Sequence, residues 1–252
     1  MSLWQSELRC TRKFPMPRVE WNEKNMKYAM CFFPLVGVVT GILEVILGKC
    51  AFLCIRHAER CFFAGVMTLL PVLVNGGIHM DGFLDTMDAL NSYGSREKKL
   101  EILKDSRTGA FAVIGFGLYL VASLALWSEA KTEMLPVIGA GYVMSRSLSG
   151  FSVMVFPSAK KDGLGRTFQE QAHRKRVAVV MVCWFFAALA VMLMTSVQMG
   201  AAALCTALLV FWYYHHMAMK QFGGMTGDLA GYFLQLAELL ILAAVIVAGG
   251  AL

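Results

Sequence analysis

Residues 229–249 read LAGYFLQLAELLILAAVIVAG, an apolar run interrupted by one ionisable group, Glu238. A helix of about 18 or more such residues crosses the hydrocarbon of a bilayer, whereas a buried strand needs only about 4–8. The run therefore predicts a transmembrane helix, and it has company. Working back toward the N-terminus, comparable stretches cover about 201–218, 177–197, 134–156, 110–127, 61–78 and 28–47. Composition agrees, with 58% of residues hydrophobic and 16% charged, against roughly 25% charged in soluble domains. The mean hydropathy is +0.59. The expected fold is all-α: one polytopic membrane domain over residues 1–252, a bundle of about seven transmembrane helices without soluble appendage or internal repeat.

Basic residues orient such a bundle, because loops rich in Lys and Arg stay in the cytoplasm. Alternate loops carry Arg96, Lys98, Lys99, Lys104 and Arg107, then Lys160, Lys161, Arg166, Arg174, Lys175 and Arg176, then Lys220. The opposite loops carry only Lys49, Arg56, Arg60 and Lys131. The N-terminus, segment 79–109 and segment 157–176 are thus expected to face the cytoplasm from a multi-pass protein of the inner membrane. Residues 1–27 are polar and basic, so no cleavable signal is expected there. The net charge of +6 is accounted for by topology and needs no nucleic-acid partner. Seven cysteines contain no Cys-x-x-Cys pair and read as small apolar packing residues.

The chemistry concentrates in Asn75-Gly76-Gly77-Ile78-His79-Met80-Asp81-Gly82-Phe83-Leu84-Asp85-Thr86-Met87-Asp88. At helical spacing Asp81, Asp85 and Asp88 share one face, where like charges repel unless a cation neutralises them. Glu101 and Asp105 repeat the i, i+4 spacing beside Lys104 and Arg107. Hard carboxylate oxygens suit Mg²⁺, and Mn²⁺ equally. The candidate metal ligands are accordingly Asp81, Asp85, Asp88, Glu101 and Asp105. Lys104 and Arg107 beside them are suited to phosphate. His79 is better placed for hydrogen bonding than for ligating so hard an ion.

Ionisable residues within spans are functional candidates. Arg146 reads two ways: as the partner of Glu44 or Glu238, or as a phosphate-binding group. Glu44 is assigned no function, and adjacent His215 and His216 read as polar anchors. Two Gly-rich segments complete the inventory. Lys160-Lys161-Asp162-Gly163-Leu164-Gly165-Arg166 joins cations to glycines, and Phe222-Gly223-Gly224-Met225-Thr226-Gly227-Asp228 opens a span with Thr226 or Asp228 as its N-cap. Gly163, Gly165, Thr226 and Asp228 are therefore candidate phosphate contacts, and Gly37 and Gly41 read as close helix packing.

These pieces together resemble the cobalamin synthase family, also called adenosylcobinamide-GDP ribazoletransferases. The likeness rests on Phe33-Pro34-Leu35-Val36-Gly37, on Gly76 to Asp88, on Lys104-Asp105-Ser106-Arg107-Thr108-Gly109, and on Ser145-Arg146. It continues through Gly163-Leu164-Gly165 and Thr226-Gly227-Asp228, with Glu238 following. Ala89 and Ala112 stand where that family usually carries Gly. The resemblance implies nucleotide-loop assembly: a ribose hydroxyl of α-ribazole or its 5′-phosphate displaces GMP from adenosylcobinamide-GDP. It further implies Asp81, Asp85, Asp105 and His79 as catalytic residues, Mg²⁺ as cofactor and the lipid bilayer as surroundings, and leaves a homo-oligomer open. Two rivals differ in what they require. A CDP-alcohol phosphotransferase would show Asp-Gly-x-x-Ala-Arg, but Asp81-Gly82 is followed by Phe83-Leu84-Asp85. A transporter would place its charges in broken, repeated helices at the bilayer midplane.

Overall fold

The computed structural model describes residues 27–54, 60–105, 107–159 and 164–250, with the backbone alone for residues 52–54 and 164–167. Most of the basic segment 1–27, together with Lys160, Lys161 and Gly163, lies outside the described residues. The chain forms α1 (Phe33–Cys54), α2 (Arg60–Val74), α3 (Ile78–Asn91), α4 (Arg96–Ile102), α5 (Ala110–Glu129) and α6 (Leu135–Val155). It continues through α7 (Leu164–Gln171), α8 (Arg174–Thr195), α9 (Val197–Met217) and α10 (Gly227–Ala248). A π turn at Ala218–Phe222 prolongs α9. All seven apolar stretches of the sequence fall on helices. Among the described residues five helices are long and apolar enough to cross a membrane, and a sixth span results if α2 and α3 are taken together. Their outward residues are greasy, including Val113, Leu118 and Val121 on α5 and Val179 and Phe186 on α8.

Two stretches depart from the simple picture of continuous spans. The one expected at 61–78 ends at Val74, and the chain turns by 94° into α3. At about 1.5 Å per residue α2 is too short for a hydrocarbon layer of about 30 Å. The cause is local. Pro71 lies inside α2, Asn75 folds its amide back onto the Pro71 carbonyl at 2.7 Å, and Gly76 and Gly77 take φ of 62° and 80°. Such φ values are costly for any residue with a Cβ. Segment 79–109, expected to lie at a cytoplasmic boundary, is therefore largely helical. Its α3 portion packs between α5 and α10 rather than forming a surface loop.

The second departure is α6. It has a serine-rich sequence around Arg146, and every residue from 137 to 150 is buried. Helices α1, α8 and α10 surround it. Gly37 and Gly41 of α1 lie directly on the α6 backbone at Tyr142 and Gly139, so the small-residue packing read from the sequence is how α1 reaches the centre. Among the described residues Cys31, Cys50, Cys61, Cys183 and Cys205 are free thiols, Cys31 half-buried and the other four exposed rather than packed inside the bundle.

Candidate active site

The acidic stretch becomes a site through one close helix crossing. Gly82 of α3 meets the backbone of Asp228, and a Cβ there would come within 2.8 Å of the Asp228 carbonyl. Gly231 faces the backbone of His79 in the same way, at 3.0 Å from its carbonyl oxygen. Two glycines thus let α3 and α10 touch backbone to backbone. Phe83 locks the crossing by stacking on Tyr232 with centroids 5.4 Å apart, and it leans on Tyr119 of α5 at 5.6 Å. The consequence is electrostatic: Asp81, exposed on α3, stands near enough to Asp228 for the two charges to repel.

Asp228, read from the sequence as a candidate phosphate contact, thus stands at the same crossing as Asp81. Capping falls to Thr226, whose hydroxyl accepts from the Leu229 amide at 3.2 Å and donates toward an Asp228 oxygen at 3.4 Å. Thr226 is itself buried, which takes it off the substrate surface. The segment ahead of it is held by an isolated parallel bridge between Ser158 and Met225. The Met225 amide donates to Pro157 at 2.8 Å, and the Ala159 amide donates to Met225 at 2.9 Å. Ser158 and Ala159 thus lie beside the α10 N-terminus. Gly165 falls in the first turn of α7, so the helix begins earlier than a loop over 160–166 would allow.

The other acids are drawn elsewhere. Asp88 accepts from the backbone amides of Gly109 at 2.6 Å and Ala112 at 2.8 Å, which caps the start of α5. A carboxylate there satisfies orphan amides and favours the positive end of the helix dipole. Glu101 pairs with Lys98 on the exposed face of α4 at 3.0 Å. Asp105 is forked by Arg107, with Oδ2 to Nη2 at 2.6 Å and Oδ1 to Nε at 3.0 Å. This hydrogen-bonded guanidinium is the main reason that the Asp105 carboxyl sits at about 2. Among the described residues no three His, Cys, Asp or Glu side chains form a ready-made metal site. The five acids read as one ligand set are therefore dispersed, with Asp81 and Asp85 remaining together on α3.

Arg146 is settled by its surroundings. It is fully buried, and Nη1 donates to Glu238 Oε1 at 2.7 Å and to the Tyr142 carbonyl at 3.0 Å. Nη2 reaches Asn75 Oδ1 at 3.3 Å, and Ser145 Oγ donates to the same Glu238 oxygen at 3.1 Å. Such a shielded guanidinium cannot grip a diphosphate in this arrangement, so the ion-pair reading stands and the phosphate-binding one is withdrawn. Asn75, to which the sequence gave no role, ties the α2–α3 break to this pair. Glu44 accepts from the Tyr142 hydroxyl at 2.8 Å, so it belongs to the same buried polar centre. His79, two residues before Asp81 on α3, packs edge-on to Phe33 of α1, with centroids 6.0 Å apart.

Comparison with known proteins gives one consistent answer. The family model described as cobalamin-5-phosphate synthase matches residues 7–246. The chain is 42% identical over 238 residues to the adenosylcobinamide-GDP ribazoletransferase of Lachnoclostridium phytofermentans, covering 94% of this chain and 90% of that protein. It is 32% identical to the proteins so named in Clostridium botulinum strain Eklund 17B and in Treponema denticola, covering 89% of each chain. No solved structure matches. Membrane-length helices make this a multi-pass membrane protein, and its family and relatives make it a transferase. The chain belongs to the cobalamin-5-phosphate synthase family.

Proposed function

We propose that the enzyme transfers the cobinamide-phosphate moiety of adenosylcobinamide-GDP to α-ribazole or α-ribazole 5′-phosphate. The ribose hydroxyl attacks the phosphorus nearer the cobinamide, the bond to the GMP oxygen breaks, and GMP leaves. The products are adenosylcobalamin or its 5′-phosphate. The observation that carries this reading is the meeting of Asp81 and Asp228 where α3 crosses α10. Asp81 and Asp228 bring two hard carboxylates to this crossing and, with Asp85 one turn along α3, suit Mg²⁺ or Mn²⁺. Such ions are commonly held by one or two carboxylates plus substrate phosphates, so a complete protein cage is unnecessary. Asp81, Asp85 and Asp228 would hold the ion. When bound, it neutralises diphosphate charge and aligns the attacking and leaving oxygens.

The chain's own residues do the remainder. Displacement within a diphosphate depends on positioning and on charge complementarity more than on covalent help. Arg107 is exposed, and its planar fork, now on Asp105, has the geometry to take two phosphate oxygens instead. Lys104, also exposed, adds a point charge nearby. A carboxylate of the α3 stripe accepts the proton of the attacking hydroxyl. His79 hydrogen-bonds and orients from the α1 side, and Asp88 holds the start of α5 in place. The Lys- and Arg-rich loops support a cytoplasmic orientation for this end of the bundle, on the side where nucleotide substrates reside.

The test uses the full-length enzyme in liposomes with Mg²⁺. GMP should appear from adenosylcobinamide-GDP only when α-ribazole or its phosphate is added, together with a corrinoid of the mass of the joined product. GMP release that ignores the ribazole would show a hydrolase instead. No release under any of these conditions would refute the proposal.

A further inference from the structure

Helix α4 carries four charged residues facing water, Arg96, Glu97, Lys98 and Glu101, yet it does not float on the surface. Arg96 Nε donates to the Phe222 carbonyl at 2.7 Å, and Lys99 Nζ donates to Gln221 Oε1 at 2.6 Å. Lys99 is buried, which is rare for a lysine and marks a fixed contact. Both partners lie on the π turn Ala218–Phe222, so two cations meet the carbonyl-rich end of a helical segment where positive charge is favoured. Immediately after it, Gly223 takes φ of 74°, and a Cβ there would overlap the Arg96 guanidinium. Gly223 thus answers two demands at once: a left-handed turn and room for the arginine.

This contact joins the two halves of the site. On one side α4 leads directly into Lys104, Asp105 and Arg107. On the other, the π turn leads through Gly223 and Gly224 into Thr226 and Asp228. Gly224 is in turn pressed against the backbone of Ser158 and Ala159, where the basic segment begins. Among the described residues no disulfide or strand pairing ties α4 to α10, and the sequence separation between Arg96 and Phe222 is 126 residues. We propose that Arg96 and Lys99 are positioning residues. They latch α4 onto the π turn, through the space that Gly223 leaves open, and so fix the phosphate-binding cations against the Asp81–Asp228 crossing.

The inference rests on the activity proposed above, and its test keeps the two apart. Hydrogen exchange of the intact protein in detergent, without substrate, reads the latch directly. Arg96→Ala with Lys99→Met should speed exchange in segments 96–105 and 218–228 and leave α6 and α8 protected. In the liposome assay the same variant should lose kcat by about 10²-fold, the scale of a misplaced reacting group, with Arg96→Lys recovering part of it. Gly223→Ala supplies the decisive cycle. If it acts by expelling Arg96, its effect on kcat must shrink when Arg96 is already Ala, since coupled residues are non-additive. Unchanged exchange in both segments, or equal losses from Gly223→Ala in the two backgrounds, would overturn the latch. A wild-type enzyme that releases no GMP while exchange responds as described would refute the reaction and leave the latch standing.

Discussion

Among the described residues, the arginine–carboxylate pairs Arg146–Glu238 and Arg107–Asp105 do opposite work. Arg146 and Glu238 meet at 2.7 Å with side chains 0% and 5% exposed. Arg107 and Asp105 meet at 2.6 Å with side chains 87% and 37% exposed. The distances are alike, so the difference lies in the surroundings. Inside the bundle neither ion can find water, and each is committed to the other. At the surface the pair is screened, and water or a phosphate can replace the carboxylate at little cost. The same residue types therefore tie α6 to α10 in one place and, in the reaction proposed above, would grip the substrate in the other.

The largest effect should come from breaking the buried pair on one side. Arg146→Met leaves Glu238 unpaired in an apolar interior, which costs about 3–5 kcal/mol. The variant should fail to accumulate in membranes, or purify with a sharply lowered Tm. Adding Glu238→Gln removes the stranded charge and should restore both accumulation and most turnover. A double variant that folds normally but is inactive would return Arg146 to the list of substrate-binding groups. At the surface the expectation reverses: Arg107→Ala should leave Tm unchanged and lower kcat/KM by about 10- to 100-fold, the value of charge-assisted bonds to phosphate.

Asp88 sharpens the contrast between structural and chemical acids. Asp88→Asn removes a charged N-cap, worth about 1 kcal/mol. A slightly lowered Tm should accompany activity of the same order as wild type. The smallest effect concerns pH. Hydrogen bonding to Arg107 lowers the folded Asp105 carboxyl to about 2, from an ordinary value of 3.8. A depressed carboxyl stabilises the fold above its unfolded value, and that contribution disappears as pH falls through about 2. Between pH 7 and 5 Asp105 therefore stays ionised. Any acid limb of the activity profile in that window should keep its midpoint in Asp105→Ser, and a shifted midpoint would contradict the pairing.

The bundle was readable in the sequence because bilayer solvation dictates it: apolar length alone calls for α1, α5, α8, α9 and α10. The break between α2 and α3 was also written there, in Pro71 and Gly76-Gly77, but a hydropathy window averages such punctuation away. The acidic stripe was legible as a helical face. Which acids it keeps was not, because that depends on partners distant in sequence. Asp88 finds the amides of Gly109 and Ala112, and Asp105 finds Arg107 two residues on. Asp81 finds Asp228 only because Gly82 and Gly231 permit the crossing. Spacing shows which side chains share a helix face, and says nothing of what stands opposite.

The proposed reaction stands or falls on Asp81. Wild-type enzyme and Asp81→Asn should be reconstituted at equal density in liposomes with Mg²⁺, adenosylcobinamide-GDP and α-ribazole, and GMP release followed over time. Asp81→Asn changes charge with little change in volume, so it should insert and melt like wild type while releasing no GMP above background. Wild-type release should stop on chelation and resume with added Mg²⁺. GMP release by Asp81→Asn at the wild-type rate would contradict the acidic crossing as the seat of the reaction.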